Sequence, residues 1–196
     1  MTRPRPRLFA LLLTLLAGLV LAGCGASQQD TAPAPAPAPS PVAAQKPVAE
    51  PVSIDVPSID AHSTLVPLGL NQDKTVQVPP VDQPLQAGWY RLGAMPGQVG
   101  PAVVLGHIDG NHKKGIFWRL HEMKQGDQVV IGRKDGSKAT FTVTKVDQVA
   151  KKEFPTEAVY GKTAGSEIRL ITCGGAFDAA KHSYLDNIIV YGTLNT

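Results

Sequence analysis

Cysteine is nearly absent from this chain: two occur in 196 residues, Cys24 and Cys173. Long hydrophobic runs are absent too. The longest, Leu8 to Ala22, holds roughly 15 residues, short of the ~20 a helix needs to cross a bilayer, so it favours a cleaved segment over a permanent span. Charge of one sign is scarce. The net charge is +3, and Arg3, Arg5 and Arg7 of the leader supply part of it. No basic stripe runs along the sequence, and Lys113-Lys114 and Ala150 to Glu153 read as solvated surface, which excludes nucleic acid as a partner. No internal repeat is present, and helical periodicity is confined to Gly115 to Met123, where Phe117, Leu120 and Met123 fall near one face of one short helix.

What is present begins with a processing signal. The basic MTRPRPR, the short apolar run and the small residues Leu21-Ala22-Gly23 before Cys24 have the layout of a secretory signal peptide, residues 1–23. The tetrapeptide LAGC resembles the lipobox of bacterial lipoproteins, in which the cysteine is lipidated and becomes the new N-terminus. That places Cys24 on the extracytoplasmic face of the cell membrane, held by a lipid anchor; an uncleaved N-terminal signal anchor is the alternative. Residues 24–51 follow as a linker. The segment SQQDTAPAPAPAPSPVAAQKPVAE alternates proline and alanine, buries no core, and favours extended polyproline conformations, so it reads as a semi-stiff stalk. Residues 52–196 have the size of one compact domain.

That domain reads as all-β. Segments at 53–56, 75–78, 101–105, 128–131, 139–146, 167–172 and 187–190 are rich in Val, Ile, Thr and Phe and are parted by Gly, Pro and Asp-Gly turns. Asp135-Gly136 marks the clearest hairpin, since a tight primed turn needs positive φ. Short strands with turn chemistry between them argue for a barrel with minor helix.

If Cys24 is lipidated, the exported chain keeps one thiol with no internal partner. In an oxidising compartment such a thiol is an intermolecular bridge or a reactive group; a small buried apolar residue is the structural alternative. In Glu167 to Cys173 (EIRLITC), period-two alternation puts Arg169, Ile171 and Cys173 on one side, and Gly174-Gly175 follow. A thiol needs a neighbouring base to act as a nucleophile. Of the five histidines, His107 stands out because it ends a second apolar strand, PAVVLG, before Ile108-Asp109-Gly110. His62, His112 and His121 lack that setting.

Leu170-Ile171-Thr172-Cys173 resembles the tail of the sortase signature T-L-x-T-C, with Arg169 where the first threonine would be. Pro96 to Asp109 resembles the catalytic-histidine strand of that family. Gly88-Trp89-Tyr90 and Ser183 to Tyr191 (SYLDNIIVY) are similar to the actinobacterial class F sortases, and the match runs from about Val52 to Gly192. The resemblance implies a closed eight-stranded β-barrel with one or two short helices and a cysteine transpeptidase. Cys173 would attack an LPXTG-like sorting signal of an exported protein to form an acyl-thioester. His107 would protonate the leaving amine and then deprotonate the amine of a cell-wall acceptor such as a peptidoglycan precursor, or water. No metal or organic cofactor is implied. Sortases also use an arginine near the start of the last strand, and no arginine follows Cys173 here. Lys181, His182, Leu185 and Asp186 occupy that region; His182 is the candidate oxyanion or substrate-positioning residue, with Lys181 beside it. A catalytically weakened barrel that binds a peptide or cell-wall partner is the alternative function. An L,D-transpeptidase is a third, though LITCGG lacks the histidine and glycine that usually precede that cysteine.

Overall fold

The computed structural model describes residues 47–195; the segment read as a signal peptide, Cys24 and most of the Pro/Ala-rich stretch lie outside the described residues. Ten strands and one short α-helix follow in order: β1 (Pro51–Val56), β2 (Ala61–Leu68), β3 (Ala87–Tyr90), β4 (Gly100–Gly106), β5 (Asp109–Gly110), β6 (Lys113–Lys114), β7 (Gln128–Arg133), β8 (Lys138–Ala150), α1 (Thr156–Tyr160), β9 (Ser166–Asp178) and β10 (Ser183–Leu194). Eight of them close a barrel in the order β1-β2-β3-β4-β9-β10-β8-β7, with β7 pairing back onto β1, while β5 and β6 form a separate two-stranded hairpin. The expected eight-stranded barrel is the observed fold.

Alternation along the strands builds two apolar layers. Ile54, Val56, Val104, Val129, Ile131, Phe141, Ile168, Leu170, Ile188 and Val190 point inward and join the barrel core. Their neighbours Val103, Ile171, Ile189 and Tyr191 form a second cluster with Val159 of α1, and Tyr90, Leu105, Val149, Phe154 and Tyr160 pack against it. Hence β4, β9 and β10 are buried on both faces, which is why they read as nearly unbroken apolar runs. β10 is flanked by two antiparallel partners, β9 and β8, and β4 runs parallel to β9, with pairs from Gly100↔Ser166 to Leu105↔Ile171.

Three expectations need correction. Residues 75–78 form no strand; Val76 makes an isolated bridge to Leu70 inside the connection from β2 to β3. That segment lies at the surface, with Val78 56% exposed, so its β-branched residues have no sheet to join. The predicted helix at 115–123 shrinks to a 3-10 turn at Leu120–Glu122. Its apolar residues are nevertheless buried: Phe117 and Leu120 are fully enclosed and fill the barrel core, so packing and not helical period fixed their spacing. Finally, β2, β3 and α1 were not foreseen as elements; β3 is four residues long and α1 five, too short for periodicity to register.

Candidate active site

The β4–β9 ladder leads directly to the two candidate residues. Its last registered pair is Leu105↔Ile171, and His107 and Cys173 each lie two residues further along their strands. Val103, Leu105 and Ile171 belong to the outer cluster, so alternation along β9 turns Cys173 toward that same outer face, while His107 is the first residue past β4. Parallel neighbours are about 4.8 Å apart in the sheet direction. The segments that carry the lone thiol and the imidazole thus both continue from the last pair of one parallel ladder. Cys173 is a half-buried free thiol, and its antiparallel partner on the other side is Asn187 of β10.

β4 stops at Gly106, and the chain past it is held by several ties. The ring of His107 donates from Nε2 to the carbonyl of Pro79 at 2.6 Å, which leaves Nδ1 of the neutral ring with the lone pair. The carbonyl of His107 accepts from the Phe117 N–H at 3.0 Å, and the Gly115 N–H donates to Ile108 at 2.8 Å. Gly115 is required there, because a Cβ would collide with the His107 carbonyl. Asp109, which opens the β5–β6 hairpin, accepts a short hydrogen bond from the hydroxyl of Tyr184 at the start of β10. Between those two elements runs β9, where Gly175 adopts φ +73° and a side chain would strike the Asp186 carboxylate.

Tyr184 reports the electrostatics of this corner. Its hydroxyl is pushed up to about 12 by its hydrogen bond to Asp109, then by burial, by the Asp109 charge and by Cys173. Tyr184, Asp109 and Cys173 therefore share one neighbourhood. Because the folded value lies above the ordinary 10.0, the stability this hydroxyl contributes is complete below pH 10 and is lost as pH rises toward 12. A tyrosinate absorbance titration should show one step near pH 12 that is missing from a Tyr184→Phe variant; an unchanged curve would mean that the hydroxyl titrates as if free of Asp109. Neither Asp109 nor Tyr184 was singled out from sequence as a site residue. The available signal was Asp109 two places after His107.

The remaining residues fall as follows. His182 lies in the turn between β9 and β10, exposed and in the left-handed region at φ 47°. Five residues separate it from Asn187, some 16 Å of extended chain, so the register does not bring its backbone to Cys173. Lys181 is exposed and pairs with Asp178 at 3.4 Å. Leu185 is 46% exposed and sits at a register irregularity between Tyr184 and Asp186. Arg169, on the Cys173 face of β9, is fully engaged: it pairs with Glu167 at 2.7 Å, donates to the Ala158 carbonyl at 3.1 Å, and stacks 4.7 Å from the Tyr191 ring centre. His62 pairs with Asp55 at 2.7 Å on the surface, and His112 sits in the β5–β6 turn. Among the described residues no group of three or more His, Cys, Asp or Glu side chains gathers as a metal site would need.

Down the outer face from Cys173, past Ile171, Leu105 and Val103, an open cleft of about 480 Å³ is walled by Leu70, Val76, Tyr90, Leu92 and Tyr160.

The barrel has known counterparts. The chain is similar to sortase A from Corynebacterium diphtheriae, 20% identical, covering 76% of this chain and 62% of that one, with a TM-score of 0.57. It therefore spans less than two thirds of that relative's length. Similar likeness links it to sortase C-1 from Actinomyces oris (20% identical, 75% and 76% covered, TM-score 0.58) and to sortase C from Streptococcus pneumoniae (19%, 77% and 71%, TM-score 0.57). At these identities the likeness shows a shared barrel. None of the curated protein sequences compared with the chain matches it significantly. The sortase domain model, however, matches residues 54–195, from the first strand of the barrel to the end of the last. A match of that extent shows that the chain belongs to the sortase family, whose members are cysteine transpeptidases.

Proposed function

We propose that this protein is an extracytoplasmic sortase of the class F type, anchored through a lipid on Cys24, that cleaves an LPXTG-like sorting signal and passes the acyl group to a cell-wall amine or to water. The observation that carries the reading is the parallel β4–β9 pairing, whose last pair, Leu105↔Ile171, stands two residues before His107 on one chain segment and two before Cys173 on the other. The sulfur attacks the scissile carbonyl carbon; the C–S bond forms as the C–N bond breaks. His107, with Nε2–H engaged by Pro79, takes the thiol proton on Nδ1 as the sulfur attacks and gives it to the departing amine. In the second half the same nitrogen takes a proton from the incoming amine or water as its nitrogen or oxygen bonds to the acyl carbon and the C–S bond breaks, and returns that proton to the departing sulfur. The apolar cleft beyond Val103 supports binding of the leucine and proline end of the signal. No guanidinium serves the oxyanion after Cys173; His182, with Lys181 beside it, stays the candidate for that charge only if the exposed β9–β10 turn folds back toward the thiol.

The lack of an arginine after Cys173, with exposed Leu185 at the start of β10, favours a second reading: a barrel that binds peptide without efficient turnover. Intact-mass spectrometry of the protein mixed with LPXTG-like peptides separates the two. An adduct on Cys173 of the mass of the peptide lacking its residues after threonine is the expected result; a peptide recovered whole, with the protein unmodified, supports the binding module.

A further inference from the structure

β4 leaves the sheet just before the residue that must face Cys173. After Leu105↔Ile171 no further pair joins β4 to β9, so the placement of His107 depends on what holds the chain beyond Gly106. The Pro79 carbonyl fixes the ring, and the amides of Gly115 and Phe117 tie the segment to its own return. All of these lie on the β4 side. The hydroxyl of Tyr184 comes from the other side: it starts at β10, spans β9 close to Cys173, and ends on Asp109, two residues after His107. Tyr184 is itself braced. Its ring meets that of Phe177 edge to face at 5.1 Å, and Phe177 is its register partner on β9. The hairpin that Asp109 opens is stiff as well, since Asn111 and His112 take the paired positive φ values, 48° and 56°, of a two-residue primed turn.

We propose that Tyr184 and Asp109 form a clasp across β9 that holds the His107 segment over Cys173, making Tyr184 a positioning residue for the acid–base step. This rests on the transpeptidase reading above for its catalytic consequence. In this chain the start of β10 carries no guanidinium, and its polar reach toward the site is a phenol aimed at a protein carboxylate. The hydroxyl keeps its proton throughout the working range, so the clasp stays closed there. It contributes geometry and no charge. Small displacements of a catalytic group are costly, up to about a hundredfold in rate per ångström.

Three variants test the clasp. Tyr184→Phe removes the hydroxyl and keeps the ring on Phe177; Asp109→Ala removes the acceptor; Asp109→Asn retains an accepting oxygen. With an LPXTG-like peptide, Tyr184→Phe and Asp109→Ala should lower kcat by about ten- to a hundredfold with KM within about twofold, and amide exchange of residues 108–114 should quicken by about tenfold. Asp109→Asn should stay within about threefold of the parent in both measurements, since its oxygen still accepts. Wild-type kcat in Tyr184→Phe overturns the proposal, whether or not exchange quickens, as does a loss confined to KM. A parent protein that forms no adduct and cleaves no peptide refutes the transpeptidase reading instead; exchange at 108–114 then decides the clasp alone, and an unchanged rate in Tyr184→Phe ends it.

Discussion

Cys173→Ala should abolish cleavage of a sorting-signal peptide, and His107→Ala should lower it by about 10³- to 10⁴-fold while the barrel melts within a few degrees of the parent. The size follows from what each group does. Without sulfur there is no acyl carrier, and no other thiol occurs among residues 25–196 to replace it. Without the imidazole, the amine must leave as an unprotonated anion, a step for which positioned acid catalysis supplies most of the difference. Both residues are half-buried and stand outside the barrel core, so neither replacement opens a cavity there. Peptide cleavage by liquid chromatography and thermal melting, measured on the same preparations, check both halves. Turnover in His107→Ala within tenfold of the parent would remove the histidine from the chemistry.

The second large effect concerns the fold beneath the site. Phe117→Ala should cost about 3–5 kcal/mol and lower the melting temperature by about 10 °C. Phe117 has no solvent exposure and packs in the barrel core against the inward side of Gly106, where even a Cβ would meet its ring. Its own N–H holds the His107 carbonyl at 3.0 Å. The cavity would therefore open directly under the catalytic segment, and turnover should fall further than the folded fraction alone explains. A melting temperature within 2–3 °C of the parent, a shift of about 1 kcal/mol or less, would show that the site collapses easily around the smaller side chain.

The barrel was legible because its inner strands are extreme. β9 and β10 lie between other strands and are covered on both faces, so their apolar runs are continuous and end at recognisable glycines. Cys173 and His107 were legible for the same reason, each being the first reactive side chain past such a run. β3 escaped because four residues carry no period, and 75–78 misled because β-branched composition says nothing about whether a neighbouring strand is free to pair. Tyr184 and Asp109 stand 75 positions apart, and their meeting depends on the order β4-β9-β10 in the closed sheet. That order arises from a parallel crossover between β4 and β9 that contains β7 and β8, which no local pattern announces. Sequence puts Lys181 and His182 only near the start of the last strand; that both stand exposed in a turn follows from how far β9 and β10 extend.

The pairing of Cys173 with His107 is tested most directly by the rate at which a thiol-specific alkylating probe labels Cys173 at neutral pH in the folded parent, in His107→Ala, and in the unfolded chain. Labelling in the parent faster than in the unfolded chain, falling by at least about tenfold in His107→Ala, is the result predicted here. Equal rates in the parent and in His107→Ala would contradict it.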